Sequence, residues 1–456
     1  MRDLFLGPLL FAILLQTFRS PAAGIFGWTW LTLMTPQKLI WGFLTGMPLN
    51  LILALATLAV VLFTADKKKI PLNGVTGLWA LFTVAITIST IFAINHSLAW
   101  ETWNRVVKVM LLGLLVPAIL ITPRRVHALI WVIVISLGYF GVKGGLFTLI
   151  FASGGHVVGP PDSQLIDNNN LALALCLSLP LMNYLRLQAN SRLVRVGLLI
   201  SMVATTFGVL GTYSRGGFIG LGVMAGYLWW RSTHRLALAL ATIAVIVPAL
   251  LMMPPSWYQR MGTLKDASSQ QTFLTRLDAW KVNWNIALKR PLTGGGFNAS
   301  EDPDTYRFYS YGKSLYASPG TYKIPEGFTG CHAAHSIYLE VLGDHGFIGF
   351  GIYFALLLST WFLLARVRKA AKIIVSMAWV VELATMIQVS FVAFFVSGFA
   401  LSMAYYDLVF LFMGITLALS GIVKQFKENS EVVVTLPHQS SMAKKGKWRA
   451  PALNPI

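Results

Sequence analysis

The sequence predicts an all-α polytopic membrane protein of about 12 transmembrane helices, with one large, partly helical outer-side loop between helices 10 and 11. Three observations lead there. The chain is 56% hydrophobic and only 12% charged, about half the charge of a soluble domain, and its mean hydropathy is +0.66. Apolar runs of membrane length recur along it. The formal charge of +19 sorts into alternate connections, which makes it a topology signal and points away from nucleic acid as a partner.

The runs fall at 47–64, 74–94, 105–122, 128–152, 168–185, 195–213, 216–230, 236–253, 346–365, 375–398 and 405–423. Lys67-Lys68-Lys69, Arg124-Arg125, Arg186/Arg192/Arg195, Arg231/Arg235 and Arg366/Arg368/Lys369/Lys372 occupy every second connection, so those loops face the cytoplasm. Lys424, Lys427, Lys444, Lys445, Lys447 and Arg449 put the C-terminus there too. Residues 424–456 read as a disordered basic tail.

Before residue 46, stretches 4–18 and 22–34 are both apolar, and Arg2 starts the N-terminus inside. Eleven crossings that end inside must begin outside, so one crossing is left for this region. Residues 22–34, opened by Ser20-Pro21 and closed by Pro36, make a capped helix too short to span, interfacial or re-entrant. The first helix lacks a small-residue cleavage site and reads as a retained anchor. The division is then 1–253 for helices 1–10, 254–335 for the loop, 336–423 for the C-terminal helices including a histidine-bearing one, and 424–456 for the tail.

The loop is too long for a linker. It carries nine basic side chains, Arg260, Lys265, Arg276, Lys281, Lys289, Arg290, Arg307, Lys313 and Lys323, against six acids, Asp266, Asp278, Glu301, Asp302, Asp304 and Glu326. Outside loops are normally poor in Lys and Arg, so the surplus suggests an anionic ligand, the alternative being a solvated loop exempt by its length. Phe273, Leu277, Trp280, Trp284 and Leu288 recur at helical spacing, with Thr275 three before Asp278 as a capping signal. This predicts an amphipathic helix with tryptophans on the lipid interface or bundle and Arg276 and Lys281 on its flank. The aromatics of YRFYSYGKSLYASPGTY form an interface belt or stack on sugars. GGGF at 294–297 is not a dinucleotide fingerprint, since no strand precedes it.

Arg215 stands where helix 195–213 ends and 216–230 begins. An arginine at a membrane mouth snorkels or binds, and beside a helix N-terminus it makes a phosphate cradle. His332 and His335 are three apart, on one helical face, with Cys331 adjacent. Zinc would want a third and usually a fourth ligand, and Glu340 and Asp344 step from Ser336 onto a neighbouring face. No metal and no cofactor is expected. Cys176 and Cys331 lie too far apart in the topology for a disulfide. A neutral imidazole near a helix start fits a general base better, the bland alternative being a histidine satisfied by packing.

Together these residues resemble the O-antigen ligase superfamily. His335-Ser336, followed after nine residues by Gly346-Phe347-Ile348-Gly349, is similar to its histidine and G-x-x-G signature. Tyr213-Ser214-Arg215-Gly216-Gly217 resembles the second motif, and Arg276 with Trp280, Pro291 and the glycines the third. The N-terminal part looks like the exosortase-associated O-glycosylation ligase branch. The motifs cover roughly 195–365 and the topology nearly the whole chain.

The resemblance implies a metal-independent glycosyltransferase of the ligase type in the bacterial inner membrane, both termini cytoplasmic and the loop periplasmic. It would move a preassembled glycan from undecaprenyl pyrophosphate to lipid A core, in lipopolysaccharide biosynthesis. His335 and Arg215 would be catalytic, and Arg276, His332 and Ser336 would bind substrate. No outer-face carboxylate pair stands out as nucleophile and acid/base, so a single inverting displacement is expected, with Glu340 and Asp344 the residues able to overturn it. A polymerase or protein O-oligosaccharyltransferase of the same superfamily would use the same groups. A lipid-linked sugar transporter would need ionisable groups at mid-membrane, for which Lys143, Glu382 and Asp407 are the candidates.

Overall fold

The computed structural model describes residues 3–40, 42–65, 70–150, 156–262, 271–311 and 330–435. Every regular element among them is helical: α1 Asp3–Arg19, α2 Pro21–Met34, α3 Leu49–Phe63, α4 Gly74–Ile91, α5 His96–Ile119, α6 Pro123–Ile150, α7 Asn168–Gln188, α8 Arg192–Gly211, α9 Arg215–Arg231, α10 Arg235–Leu251, α11 Pro255–Gly262, α12 Gln271–Lys289, α13 Pro303–Tyr311, α14 Ile337–Ala371, α15 Ala378–Ser397 and α16 Asp407–Thr435. The chain is an all-α multi-pass membrane protein. Among the described residues eight helices, α4 to α8 and α14 to α16, are long and apolar enough to cross. The expected total of twelve needs α1, α3, α9 and α10 as well, each 15 to 17 residues long. At 1.5 Å per residue these reach roughly 23 to 26 Å, against about 30 Å of hydrocarbon.

Without a hydrophobic drive between helices in lipid, close backbone approach is what holds a bundle together. The α6–α8 pair shows how. Gly141 and Gly145 of α6 face Ala204, Thr205 and Gly208 of α8, and a Cβ on Gly208 would stand 2.8 Å from the Gly141 carbonyl. A Cβ on Gly145 would strike the Ala204 carbonyl. The α5–α16 pair meets in the same way through Gly113 and Gly414. Gly145→Leu is expected to lower stability by about 3 kcal/mol, read as an earlier thermal unfolding midpoint in detergent. α7 lies at the centre, every residue from Leu171 to Met182 being buried.

α14 is broken at Gly346, whose φ of 66° and ψ of −170° interrupt the helix. The segment after α12 clasps this break. The N–H groups of Gly295 and Gly296 donate to the carbonyls of Gly343 and Asp344 at 2.8 and 2.9 Å, and Phe347 N–H donates to Pro291 at 2.8 Å. A side chain at Gly346 would meet the Pro291 carbonyl at 2.5 Å, and one at Gly294, φ 64°, would strike Asp344. The glycines of the G-x-x-G and GGGF motifs thus serve backbone docking. The same lock explains the two acids of α14. Asp344 accepts from Asn298 N–H at 3.0 Å and from the Tyr405 hydroxyl at 2.9 Å, while Glu340 accepts from Ala404 N–H at 3.1 Å.

Several boundaries differ from the sequence reading. α2 is buried on most sides and packs on α1, α3, α5 and α6. α12 begins at Gln271, four residues before Thr275, so that threonine is inside the helix and marks no start. The tail is helical as far as Thr435, because α16 continues without a stop signal; 436–456 lie outside the described residues, as does most of the aromatic segment, 312–322. Of the expected stripe on α12, Leu277, Trp284 and Leu288 are exposed, as a lipid-facing row would be, and the helix buries Ala279, Val282, Asn283 and Ile286.

Candidate functional site

Five segments converge at one end of the bundle. The first is the turn between α8 and α9. Tyr213 is left-handed at φ 57°, Ser214 caps α9 by accepting from Gly217 N–H at 3.0 Å, and Arg215 is the first helical residue. Thus Ser214 satisfies one of the amides that would otherwise face an anion. The second is α11, which tucks beneath this turn. Trp257 donates to the Leu210 carbonyl at 3.1 Å and Arg260 Nε to the Tyr213 carbonyl at 3.1 Å. The third is the start of α7, where Asn168 donates to the Thr212 carbonyl at 2.6 Å and His156 packs edge-on against Tyr213 at 4.6 Å.

The fourth segment is α12, and the fifth is residues 330–336. Trp280 Nε1 donates to the Ala334 carbonyl at 2.8 Å. Arg276 lies one helical turn earlier on the same side, so this bond carries it towards His335. His335 does not sit on a helix. Its φ is 45°, and Ser336 follows in extended conformation as the N-cap of α14. The expectation that His332 and His335 share a helical face is therefore corrected: the left-handed residue stops the helix one position short, leaving both histidines in the segment that leads into it. His335 N–H donates to Ser402 Oγ at 2.6 Å, in the α15–α16 connection. His332 stands further off, edge-on to Tyr306 at 6.0 Å. Trp280→Phe keeps the ring but loses the bond to Ala334; turnover is expected to fall about tenfold, the value of one such hydrogen bond, in a kcat measurement.

The electrostatics follow from this convergence. Burial, then the Arg276 guanidinium and His332, hold the His335 imidazole below its ordinary value, with Asp167 opposing. Arg276 is lowered by burial and by Arg215 and Arg260, again with Asp167 opposing. Among the described residues, three arginines are thus close enough to repel one another, with Asp167 as the opposing carboxylate. Two polar atoms here are buried without a hydrogen-bond partner, Arg276 Nε and Ser336 Oγ. Ser336 Oγ does not cap its helix. A buried guanidinium N–H without a hydrogen-bond partner, amid positive charge, has the chemistry to receive an anion.

Residues 200–354, which contain the Arg215 turn, Arg276 and His335, match the family described as O-antigen ligase. Over this part the chain is similar to the O-antigen ligase superfamily. In coarse terms this implies a ligase-type enzyme acting on lipid-linked glycan and lipid A-type substrates. Residues 1–190 match a family of unknown function (DUF5935), which does not bear on the exosortase-associated branch. No curated protein matches the chain.

The structure thus brings Arg215, Arg276 and His335 into one charged cluster, with Ser336 beside them and His332 at its edge. Sequence reasoning did not single out Arg260, Asp167 or His156. Asp167 had a signal, an Asx residue opening the polar D-N-N-N stretch that leads into the apolar run from Leu171, a pattern that marks a helix N-cap. Arg260 had none beyond membership of a basic loop.

Proposed function

We propose that this chain transfers a preassembled glycan from undecaprenyl pyrophosphate to lipid A core at the periplasmic face of the inner membrane. The observation that carries the reading is the gathering of Arg215, Arg260 and Arg276 beside a histidine kept neutral. A pyrophosphate leaves without protonation, so the reaction asks the protein for positive charge on the leaving group and a base for the incoming hydroxyl. The three arginines supply the charge, Arg276 Nε having no other partner. His335 supplies the base, with His332 and Ser336 lining the approach.

One displacement with inversion is the expected course. Asp344 and Glu340, the carboxylates nearest in sequence to the base, are engaged by Asn298, Tyr405 and Ala404, which supports a structural role for them over that of a nucleophile and acid pair. A transporter would work through its mid-membrane charges; of the three candidates Glu382 is engaged by Gln188 at 2.6 Å and Lys143 is exposed on α6, which leaves Asp407, buried at the start of α16 with Oδ1 unbonded.

The test is transfer in vitro with purified protein, lipid-linked glycan and lipid A core, with EDTA present. Product from the wild type and none from His335→Ala supports a metal-independent ligase. Glycan added to protein, or to a second lipid-linked glycan, reassigns the chain to an O-oligosaccharyltransferase or a polymerase.

A further inference from the structure

The histidine base is surrounded by positive charge, which poses a problem for its own chemistry. To take a proton it must become an imidazolium next to Arg276 and His332, with Arg215 and Arg260 behind them. Among the described residues, one carboxylate acts on this group. Asp167 closes the connection from α6 and caps α7, its Oδ1 accepting from the N–H groups of Asn169 and Asn170 at 2.9 and 3.2 Å. Two backbone bonds to one oxygen fix the carboxylate in place. The next residue, Asn168, ties this helix start to the Arg215 turn through the Thr212 carbonyl at 2.6 Å. The close approach of Gly217 to Ala172 seats α7 against α9 one turn further in.

We propose that Asp167 is the positioning carboxylate of the His335 base: anchored at the start of α7 and tied through Asn168 to the Arg215 turn, it stabilises the imidazolium formed during transfer. The proposal rests on the glycan-transfer reading above. In the step concerned, a lone pair of the acceptor oxygen forms the bond to the anomeric carbon. The carbon–oxygen bond to the diphosphate breaks with its electron pair going to the diphosphate oxygen, and the acceptor proton passes to the His335 ring. The positive charge so created is opposed by the negative charge of Asp167, and the new negative charge is on the leaving group, where Arg215, Arg260 and Arg276 hold it. Without Asp167 the same arginines that stabilise the leaving group oppose protonation of the base.

The groups acting on His335 come from every neighbouring element: His332 on its own segment, Arg276 on α12, Asp167 at α7, and beyond Arg276, Arg215 on α9 and Arg260 on α11. The carboxylate is the opposing charge among these. Removing it has a definite sign: the His335 ring holds its proton less tightly.

Asp167→Asn tests this cleanly, because asparagine caps a helix as well as aspartate does and only the charge is lost. The first measurement is the pH dependence of His335 modification by diethyl pyrocarbonate, read by peptide mass spectrometry, which needs no turnover. The midpoint is expected to move down by at least about 0.5 pH unit in Asp167→Asn; an unmoved midpoint overturns the proposal. The second is kinetic. Turnover is expected to fall about tenfold or more, with donor KM within about twofold and partial recovery in Asp167→Glu. A raised donor KM with unchanged kcat overturns the proposal in favour of a partner for Arg276 alone. A wild type with no transfer activity sinks the glycan-transfer reading, while the modification arm still decides whether Asp167 acts on His335.

Discussion

His335→Ala is expected to lower glycan transfer by about 10² to 10⁴, the usual value of a general base, while the protein still binds its donor. The residue is easily spared by the fold: only its backbone N–H is tied, to Ser402, and alanine keeps that bond. The comparison to make is single-turnover transfer by wild type and variant over pH 5 to 8, with thermal unfolding as a control. The sign of the pH effect is fixed by the environment. Burial and Arg276 lower the His335 value beneath 6.5, so the neutral, proton-accepting form predominates at pH 7. Activity should be lost only as the pH falls through that depressed value, and the acid limb should vanish in the variant. A wild type whose acid limb lies above pH 6.5 would mean the titrating group is another.

Arg276→Ala should be nearly as costly, about 10² to 10³ in kcat/KM, because it removes a charge from the developing diphosphate. Its Nε is buried with no hydrogen-bond partner, so the guanidinium is not spent on the fold, and the variant should keep close to its native stability. Arg276→Lys distinguishes charge from shape. A lysine restores the positive charge but not the planar fork that grips two oxygens at once. Recovery of about a tenth or less of the lost activity is therefore expected, measured against donor concentration. Unchanged donor KM and kcat in Arg276→Ala would leave Arg215 and Arg260 to hold the pyrophosphate by themselves.

The transmembrane frame was legible because its determinants are local. Apolar runs act within a few residues, and the helix limits fall within a few residues of those runs except where helices extend past the apolar stretch, as α14 does from 346 back to Ile337. The break at Gly346 illustrates what was not legible. Its glycine was visible, but its left-handed conformation answers to Pro291 and Gly294, more than fifty positions away. His335 is similar. Its residue type and neighbours suggested a base on a helix, and a tertiary bond to Ser402 with a left-handed backbone put it just before one instead. Asp167 and Arg260 escaped because their roles depend on α7 and α11 meeting the Arg215 turn, and nothing in the spacing of 167, 215 and 260 announces that meeting.

The clasp of the GGGF segment on broken α14 bears on how the enzyme is made. Arg215, Arg260 and Arg276 all precede α14 in the chain, so they leave the ribosome while the partner of the clasp is still unsynthesised. Until α14 is inserted, Gly295, Gly296 and Pro291 have no carbonyls and amide to dock on, and until the α15–α16 connection follows, His335 has no Ser402 to hold it. A nascent or truncated chain therefore carries the arginines without a seated base. On the proposed function, such a chain would hold the diphosphate of the lipid carrier without a seated base, and the last two helices would complete the site.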